Sequence, residues 1–318
     1  MVRHRRRDKY TNNDTIMNIH YIDITSHTTD SKGEGLVAPF ESDTDRMYTY
    51  KYSMCSLTGD DSWKLPDTHI EFIMNGEQCH AGYFILGLKH KGSVVDKYIT
   101  AALSADKNGR TYLSSPALTL FDEYGSTNAV VAFPCNSQEQ LLLEWINRSR
   151  LHWPPPELIK EIKRLPAYLV PGSESKQEER RVCFTGEKKL IESFTESQYK
   201  LYIVLKFLNK HELKPICEEL SRYIMINIVL WFFESNSEDS LVKGNMIIIL
   251  ISCLKNLKQA IKVNYLSYYL IPCRNLMTGR INPIQQAIAK LDELIHKGPR
   301  VILRCPKYWQ PCRCLQKS

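Results

Sequence analysis

The chain has 318 residues, of which 43% are hydrophobic and 24% are charged. This composition is typical of a globular protein and excludes a disordered or collagen-like chain, and the length allows one large domain or two of ordinary size. The formal net charge is +7, but residues 1–10 carry +4 and residues 298–318 carry +5, which leaves −2 for the body between them.

Residues 1–27 are predicted to form a basic, polar arm. Its cationic side chains would either bind RNA, DNA or an anionic lipid surface, or be solvated and mobile. Because the chain begins with basic and polar residues rather than an apolar run, we predict no secretory signal. With ten cysteines and no export signal, we expect reduced thiols and a cytoplasmic location, with the nucleus as the alternative.

A glycine-rich turn, DSKGEG, follows at residues 30–35, and Asp43 and Asp45 come shortly after Ser31. Small residues allow the backbone to approach a phosphate chain closely. Two carboxylates at positions i and i+2 of a strand project from one face, where they can share a hard cation such as Mg2+. The spacing therefore predicts a site where a nucleoside triphosphate meets a metal. The alternative is an acidic turn with no ligand.

The elements after this motif divide into a mixed part and a helical part. Before residue 190, strands are predicted at 47–52, 69–74, 82–88, 129–133 and 181–185, and helices at 138–148 and 157–165. After residue 190 the pattern predicts helices at 195–210, 213–234, 241–263 and 283–297, with a capping box formed by Ser193 and Glu196 at the start of the first. The apolar runs 223–233 and 246–254 are too short to cross a bilayer, so we predict buried helices and no transmembrane segment.

The tail, residues 298–318, is basic and contains Cys305, Cys312 and Cys314. These cysteines could bind zinc, but a second properly spaced pair and a nearby histidine are missing. The predicted organisation is a basic arm (1–27), a first domain (28–190), a helical domain (191–297) and this tail (298–318).

Several separated blocks occur in the order found in one protein family. They are residues 31–47, Trp153-Pro154-Pro155-Pro156, Arg181-Val182-Cys183-Phe184-Thr185, and the segments 187–208, 214–218, 223–234 and 269–276. Together they resemble the Mab-twenty-one (male-abnormal) family, which includes cyclic GMP-AMP synthase. The resemblance covers roughly residues 28–297. It implies an α+β fold, in which a nucleotidyltransferase-like mixed sheet lobe precedes an all-helical lobe and a nucleotide lies in the cleft between them.

The resemblance also implies a chemistry and a set of site residues. In the family, two Mg2+ or Mn2+ ions held by three carboxylates promote the joining of ATP and GTP into a cyclic dinucleotide, often after double-stranded RNA or DNA is sensed. Carried onto this sequence, the catalytic and metal positions are Asp43, Asp45 and Asn128, the phosphate-binding positions are Ser31, Arg181 and Lys206, and the base-stacking position is Tyr223.

Two of these positions depart from the family pattern. Asn128 stands where the third carboxylate is expected, and an amide supplies no charge and cannot act as a base. Asp30 precedes Ser31 where the family usually has glycine, and its charge repels phosphate. We therefore expect impaired nucleotidyl transfer. The alternative is a catalytically inactive pseudoenzyme that acts as a nucleotide-binding or protein-interaction module.

Overall fold

The structure is a computed structural model that describes residues 24–28, 45–58, 65–94, 97–114, 128–171, 179–236, 246–278 and 284–298. The chain divides into two compact units. The first unit contains residues 1–147 and 156–193, and the second contains residues 148–155 and 194–318. The basic arm before residue 24 and the cysteine-containing tail after residue 298 lie outside the described residues.

The first unit is built on β-strands. In chain order they are β1 Ile24–Thr28, β2 Asp45–Tyr50, β3 Ser53–Leu57, β4 Ile70–Asn75, β5 Tyr83–His90, β6 Leu103–Ala105, β7 Thr111–Leu113, β8 Asn128–Cys135, β9 Ala167–Pro171 and β10 Arg180–Phe184.

Six of these strands close into a barrel. The pairing runs β8–β3–β4–β5–β10–β9 and returns to β8, because β8 pairs with β9 as well as with β3. Residues alternate between the two sides of each strand, so every second side chain fills the interior. In β4, for example, Ile70, Phe72 and Met74 are buried, whereas the residues between them are partly exposed.

The predicted fold class is therefore wrong. An α+β nucleotidyltransferase-like lobe requires an open mixed sheet, whereas the strands of the first unit form a closed barrel. The physical cause is β8, which uses both of its edges near Cys135: one edge pairs with β3 and the other with β9. A strand paired on both sides in this way joins the two ends of the sheet instead of ending it.

The remaining strands extend from the barrel. β2 pairs in parallel with the first half of β8, and β1 pairs antiparallel with β2. β7 pairs with β5 and β6. The described helices of this unit are α1 Lys97–Ala101, α2 Gln138–Leu141, α3 Leu143–Asn147, α4 Pro156–Arg164 and α5 Gly186–Glu192.

Helices dominate the described part of the second unit. They are α6 Glu196–Leu208, a π-helical turn Asn209–Leu213, α7 Arg222–Ser235, α8 Met246–Val263 and α9 Ile284–Lys297. α7 is buried on nearly all sides from Ile224 to Leu230, as expected for a central helix that is apolar around its whole circumference. No helix in the described part of the chain is both long and apolar enough to cross a bilayer.

The start of α6 differs from the sequence-based prediction. Thr195, not Ser193, is the N-cap, and its hydroxyl accepts a hydrogen bond from the Gln198 amide while the Gln198 side chain accepts one from the Thr195 amide. Ser193 instead donates its hydroxyl proton to the Leu190 carbonyl at the end of α5. The capping box is thus displaced by two residues, because the preceding helix uses Ser193.

Candidate functional site

Asp45 and Asn128 are neighbours in the structure. They are the first residues of β2 and β8, which run parallel, and they are directly opposite each other in the register. The register continues residue by residue to Thr49 opposite Ala132. Neighbouring strands are about 4.8 Å apart, so the two backbones bring these positions together at one edge of the sheet. Asp43 and Ser31 lie outside the described residues.

The strands hold this edge firmly because their central residues are buried. Met47, Tyr48 and Tyr50 of β2 are at most 4% exposed, and Val131 and Ala132 of β8 are equally buried. Val130, two residues after Asn128, is by contrast exposed. The strand edge is therefore anchored by a packed core and open to solvent next to Asn128.

Arg181 of β10 is registered next to an apolar cluster that includes residues of β2, β8 and β9. In the register, Arg181 of β10 is opposite Val170 of β9, and Val170 belongs to an apolar cluster on the outer side of the barrel. That cluster comprises Met47, Ala132, Tyr168 and Val170, with Cys183 packed against it. Met47 belongs to β2 and Ala132 to β8, the two strands that begin at Asp45 and Asn128. Arg181 is half-buried and interacts with other residues of the chain.

Lys206 and Tyr223 belong to the second unit. Lys206 lies in the last turn of α6 and is half-buried. Tyr223, in the first turn of α7, packs its ring against Tyr268, with the ring centroids 5.4 Å apart. The Arg274 guanidinium is 5.3 Å from the Tyr268 ring and 5.9 Å from the Tyr223 ring. One side of Tyr223 is thus occupied by an aromatic partner, and the side chain is only partly exposed.

The residue before Tyr223 is also constrained by its surroundings. Burial lowers the pKa of the Arg222 guanidinium to about 10, which leaves it protonated at neutral pH. Its charge therefore persists beside Tyr223 at the start of the helix.

Sequence reasoning missed Arg180. This residue precedes Arg181 in β10, and its side chain is fully buried inside the barrel. Its guanidinium carbon is 5.1 Å from the centre of the Phe133 ring. The signal was present in the sequence, because Val182 and Phe184 continue the buried side of the strand at i+2 and i+4. A strand prediction beginning at residue 181 excluded it.

Sequence reasoning also missed a buried charge network in the second unit. The Glu234 carboxylate is 2.7 Å from Nε of Arg148 through one oxygen. Its other oxygen accepts hydrogen bonds from Nη2 of Arg148 at 2.8 Å, Nε of Arg150 at 3.3 Å and the Tyr269 hydroxyl at 2.6 Å. Arg148 also lies over the ring of Trp231, 4.3 Å from its centre. These contacts attach residues 148–155 to α7.

In the described part of the chain, no three His, Cys, Asp or Glu side chains form a group suited to a metal ion. Asp43 lies outside these residues. We also compared the chain with known proteins. No family model matches it, and no curated protein matches it.

Proposed function

We propose that this protein binds a nucleoside triphosphate together with Mg2+ or Mn2+ at the edge formed by β2 and β8, and that its nucleotidyl transfer is weak or absent. The observation that carries the proposal is the register of Asp45 with Asn128. The class of ligand comes from the resemblance to the Mab-twenty-one family. The proposal needs only this strand edge and the residues near it, so it does not depend on an open sheet.

The two registered residues fit a hard divalent cation, because carboxylate and amide oxygens are both ligands of Mg2+. Asp43 would add a second carboxylate. Bound there, the cation would offset the charge of the triphosphate. Asn128 gives the site one negative charge fewer than a carboxylate would, and it cannot accept the proton of an attacking hydroxyl. Both properties favour nucleotide binding over nucleotidyl transfer.

Arg181 is the cation that we expect to meet the phosphates, because it is registered opposite Val170, which packs with Met47 of β2 and Ala132 of β8. A planar guanidinium can donate two parallel hydrogen bonds to a phosphate. The exposure of Val130 favours access from solvent. In the same proposal Ser31 contacts the phosphates of ATP or GTP.

The second candidate is a pseudoenzyme that binds nucleotide and acts through a protein partner. Asn128 favours it, because loss of one carboxylate impairs catalysis more than it impairs binding. Double-stranded RNA or DNA is the proposed activator if transfer does occur. Binding of such a nucleic acid would weaken steeply as salt rises.

The experiment measures metal-dependent binding of fluorescent ATP and GTP analogues to the unmodified protein and to Asp45→Asn and Asn128→Asp. We expect Asp45→Asn to weaken binding by about tenfold or more and Asn128→Asp to strengthen it by a similar factor, since affinity for the cation follows the number of charged ligands. Asn108→Asp is the matched control. It makes the same change of residue and charge in the exposed turn between β6 and β7, outside the proposed site. It should leave binding unchanged.

Products are then resolved by chromatography after incubation with ATP, GTP, Mg2+ and double-stranded RNA or DNA. A dinucleotide from Asn128→Asp alone would support a pseudoenzyme that lost one ligand. A dinucleotide from the unmodified protein would refute impaired transfer. If neither protein binds nucleotide in a metal-dependent way, the proposed function is wrong.

A further inference from the structure

The barrel interior contains a positive charge that has no counter-charge among the described residues. Arg180 is fully buried, and no carboxylate of those residues lies within ion-pair distance of it. Nη1 makes a long hydrogen bond of 3.5 Å to the Val131 carbonyl, whereas Nε and Nη2 have no hydrogen-bond partner among the described residues. Burial lowers the pKa of the guanidinium to about 10, so it still carries its charge at neutral pH. A buried charge is costly unless something of opposite sign is bound near it.

Three sulfur atoms lie in the same interior. Cys55 of β3 and Cys135 of β8 are directly opposite each other in the register. Sγ of Cys135 is 3.5 Å from Sδ of Met74, which projects inward from β4. All three residues are buried. Two thiols and a thioether from three different strands therefore converge inside the barrel.

The sulfur atoms and the arginine are electrostatically coupled. Burial raises the pKa of the Cys55 thiol well above its ordinary value, nearby Cys135 raises it further, and Arg180 acts in the opposite direction. Arg180 is therefore close enough to stabilise a negative charge on Cys55.

We propose that Cys55, Cys135 and Met74 form a binding site for one Cu(I) ion inside the barrel, with Arg180 as the balancing charge. Soft thiolate and thioether ligands select Cu(I) over hard cations. On binding, each thiol S–H bond breaks, two Cu–S bonds form, and two protons pass to solvent, while Met74 donates a sulfur lone pair. No electron is transferred. The bis-thiolate complex carries one negative charge, which the Arg180 guanidinium neutralises.

The seam between β3 and β8 offers a route to the site. The register joins these strands at the single pair Cys55 and Cys135, whereas β3 and β4 share five registered pairs. The neighbouring contacts are a hydrogen bond from the Asn136 amide to the Cys55 carbonyl and one from the Leu57 amide to the Ser137 hydroxyl. Opening these few bonds exposes both ligating cysteines without unfolding the other five strand pairings.

The first test is a titration of the reduced full-length chain with Cu(I), in competition with a chromophoric Cu(I) chelator and without oxygen. Cys305, Cys312 and Cys314 are replaced by serine in every protein, so that copper bound by the tail is not counted. We expect one Cu(I) per chain and an X-ray absorption spectrum with sulfur ligands only. Cys55→Ser and Cys135→Ser should each weaken binding by more than about 100-fold, a larger loss than outer-shell changes cause.

Two further variants guard against loss of fold. Cys253→Ser is the matched control, since Cys253 is equally buried but lies in α8 of the second unit, and it should leave copper affinity unchanged. Met74→Leu keeps the volume of the core and removes only the third sulfur, so the spectrum should change from three sulfur ligands to two. Copper binding that is insensitive to Cys55, Cys135 and Met74 would overturn the proposal, as would no uptake by a folded chain.

Arg180→Met distinguishes a role of the arginine in copper binding from a purely structural role. Loss of the balancing charge should weaken Cu(I) binding by about 10-fold to 100-fold. The same change should raise the midpoint of urea unfolding of the copper-free protein, because it removes a buried charge without a counter-charge. A lower midpoint together with unchanged copper affinity would show that Arg180 serves the packing and not the metal.

Discussion

Glu234→Gln tests whether the buried charge network in the second unit stabilises the protein. Glu234 is the single carboxylate that contacts both Arg148 and Arg150 in the described structure. The amide keeps the size of the side chain but removes its charge, so two largely buried guanidinium groups lose the negative charge of Glu234. Removing one partner of a buried ion pair typically costs about 3–5 kcal/mol of the free energy of unfolding. We expect a loss in that range.

A second variant separates the contribution of the Glu234 charge from that of a single hydrogen bond to it. Tyr269→Phe removes the hydroxyl that donates to Glu234 at 2.6 Å but keeps the ring, which packs against Trp153 and Trp231. A hydrogen bond to a charged group contributes about 1.5–3 kcal/mol, so this variant should cost less than Glu234→Gln. The difference between the two measures what the charge itself contributes.

The assay is equilibrium unfolding in urea, followed by circular dichroism and by tryptophan fluorescence, since Trp231 is in contact with Arg148. Glu196→Gln is the control because it breaks an exposed i,i+4 pair with Lys200 on α6, and such pairs contribute about 0.5 kcal/mol or less. If Glu234→Gln cost no more than Glu196→Gln, the network would not be a source of stability. The attachment of residues 148–155 would then have to come from the packing of Trp153.

Two further predictions concern single side chains. Thr195→Ala should reduce stability by about 1 kcal/mol by removing the N-cap of α6, whereas Ser193→Ala should cost less, and urea unfolding would show the reverse order if the cap were at Ser193. Burial raises the pKa of Cys253 to about 12 from an ordinary value of 9.0. Between these two values the unfolded chain loses the proton first, so stability should fall with rising pH by up to about 1.4 kcal/mol per unit, and Cys253→Ala should lack this contribution.

Whether a strand could be predicted from the sequence depends on how its apolar and polar residues alternate. The predicted strands at 47–52, 69–74, 82–88, 129–133 and 181–185 all overlap strands of the structure. Of the six strands that form the barrel, β3 and β9 were missed. β9 has four consecutive buried residues, so it lacks the alternation that marks a half-exposed strand, and β3 buries Ser53 and Ser56, whose polarity suggests a loop.

These two omissions account for the wrong fold class. β3 joins β8 to β4, and β9 joins β8 to β10. Both edges of β8 are therefore connected to the rest of the barrel through these two strands. Without them the remaining strands describe an open sheet, which agrees with the fold that the resemblance implied. A continuous apolar run such as that of β9 is compatible with a strand buried on both faces or with a segment of a buried helix, so local polarity alone does not identify it.

The residues of the candidate site came from the resemblance, whereas other buried charged residues could not be predicted from the sequence. The resemblance implied that positions 45 and 128 belong to one site, and the register of β2 and β8 brings the backbones of these two positions side by side. The roles of Arg180 and Glu234 could not be predicted in the same way. Whether an arginine faces the interior or solvent changes with a shift of one residue in the strand boundary, and the partners of Glu234 come from residues more than thirty positions away.

One residue of β8, Pro134, indicates from the sequence where the pairing of this strand changes. Pro134 has no backbone N–H, so it cannot donate to a neighbouring strand and is expected where strand pairing changes. The pairing of β8 with β2 ends at Ala132, and its pairing with β3 begins at Cys135. The proline therefore marks the point at which β8 leaves β2 and enters the barrel. This exchange of partners puts Asn128 at an edge outside the barrel and Cys135 in its interior, so that one strand supplies residues to two chemically distinct places.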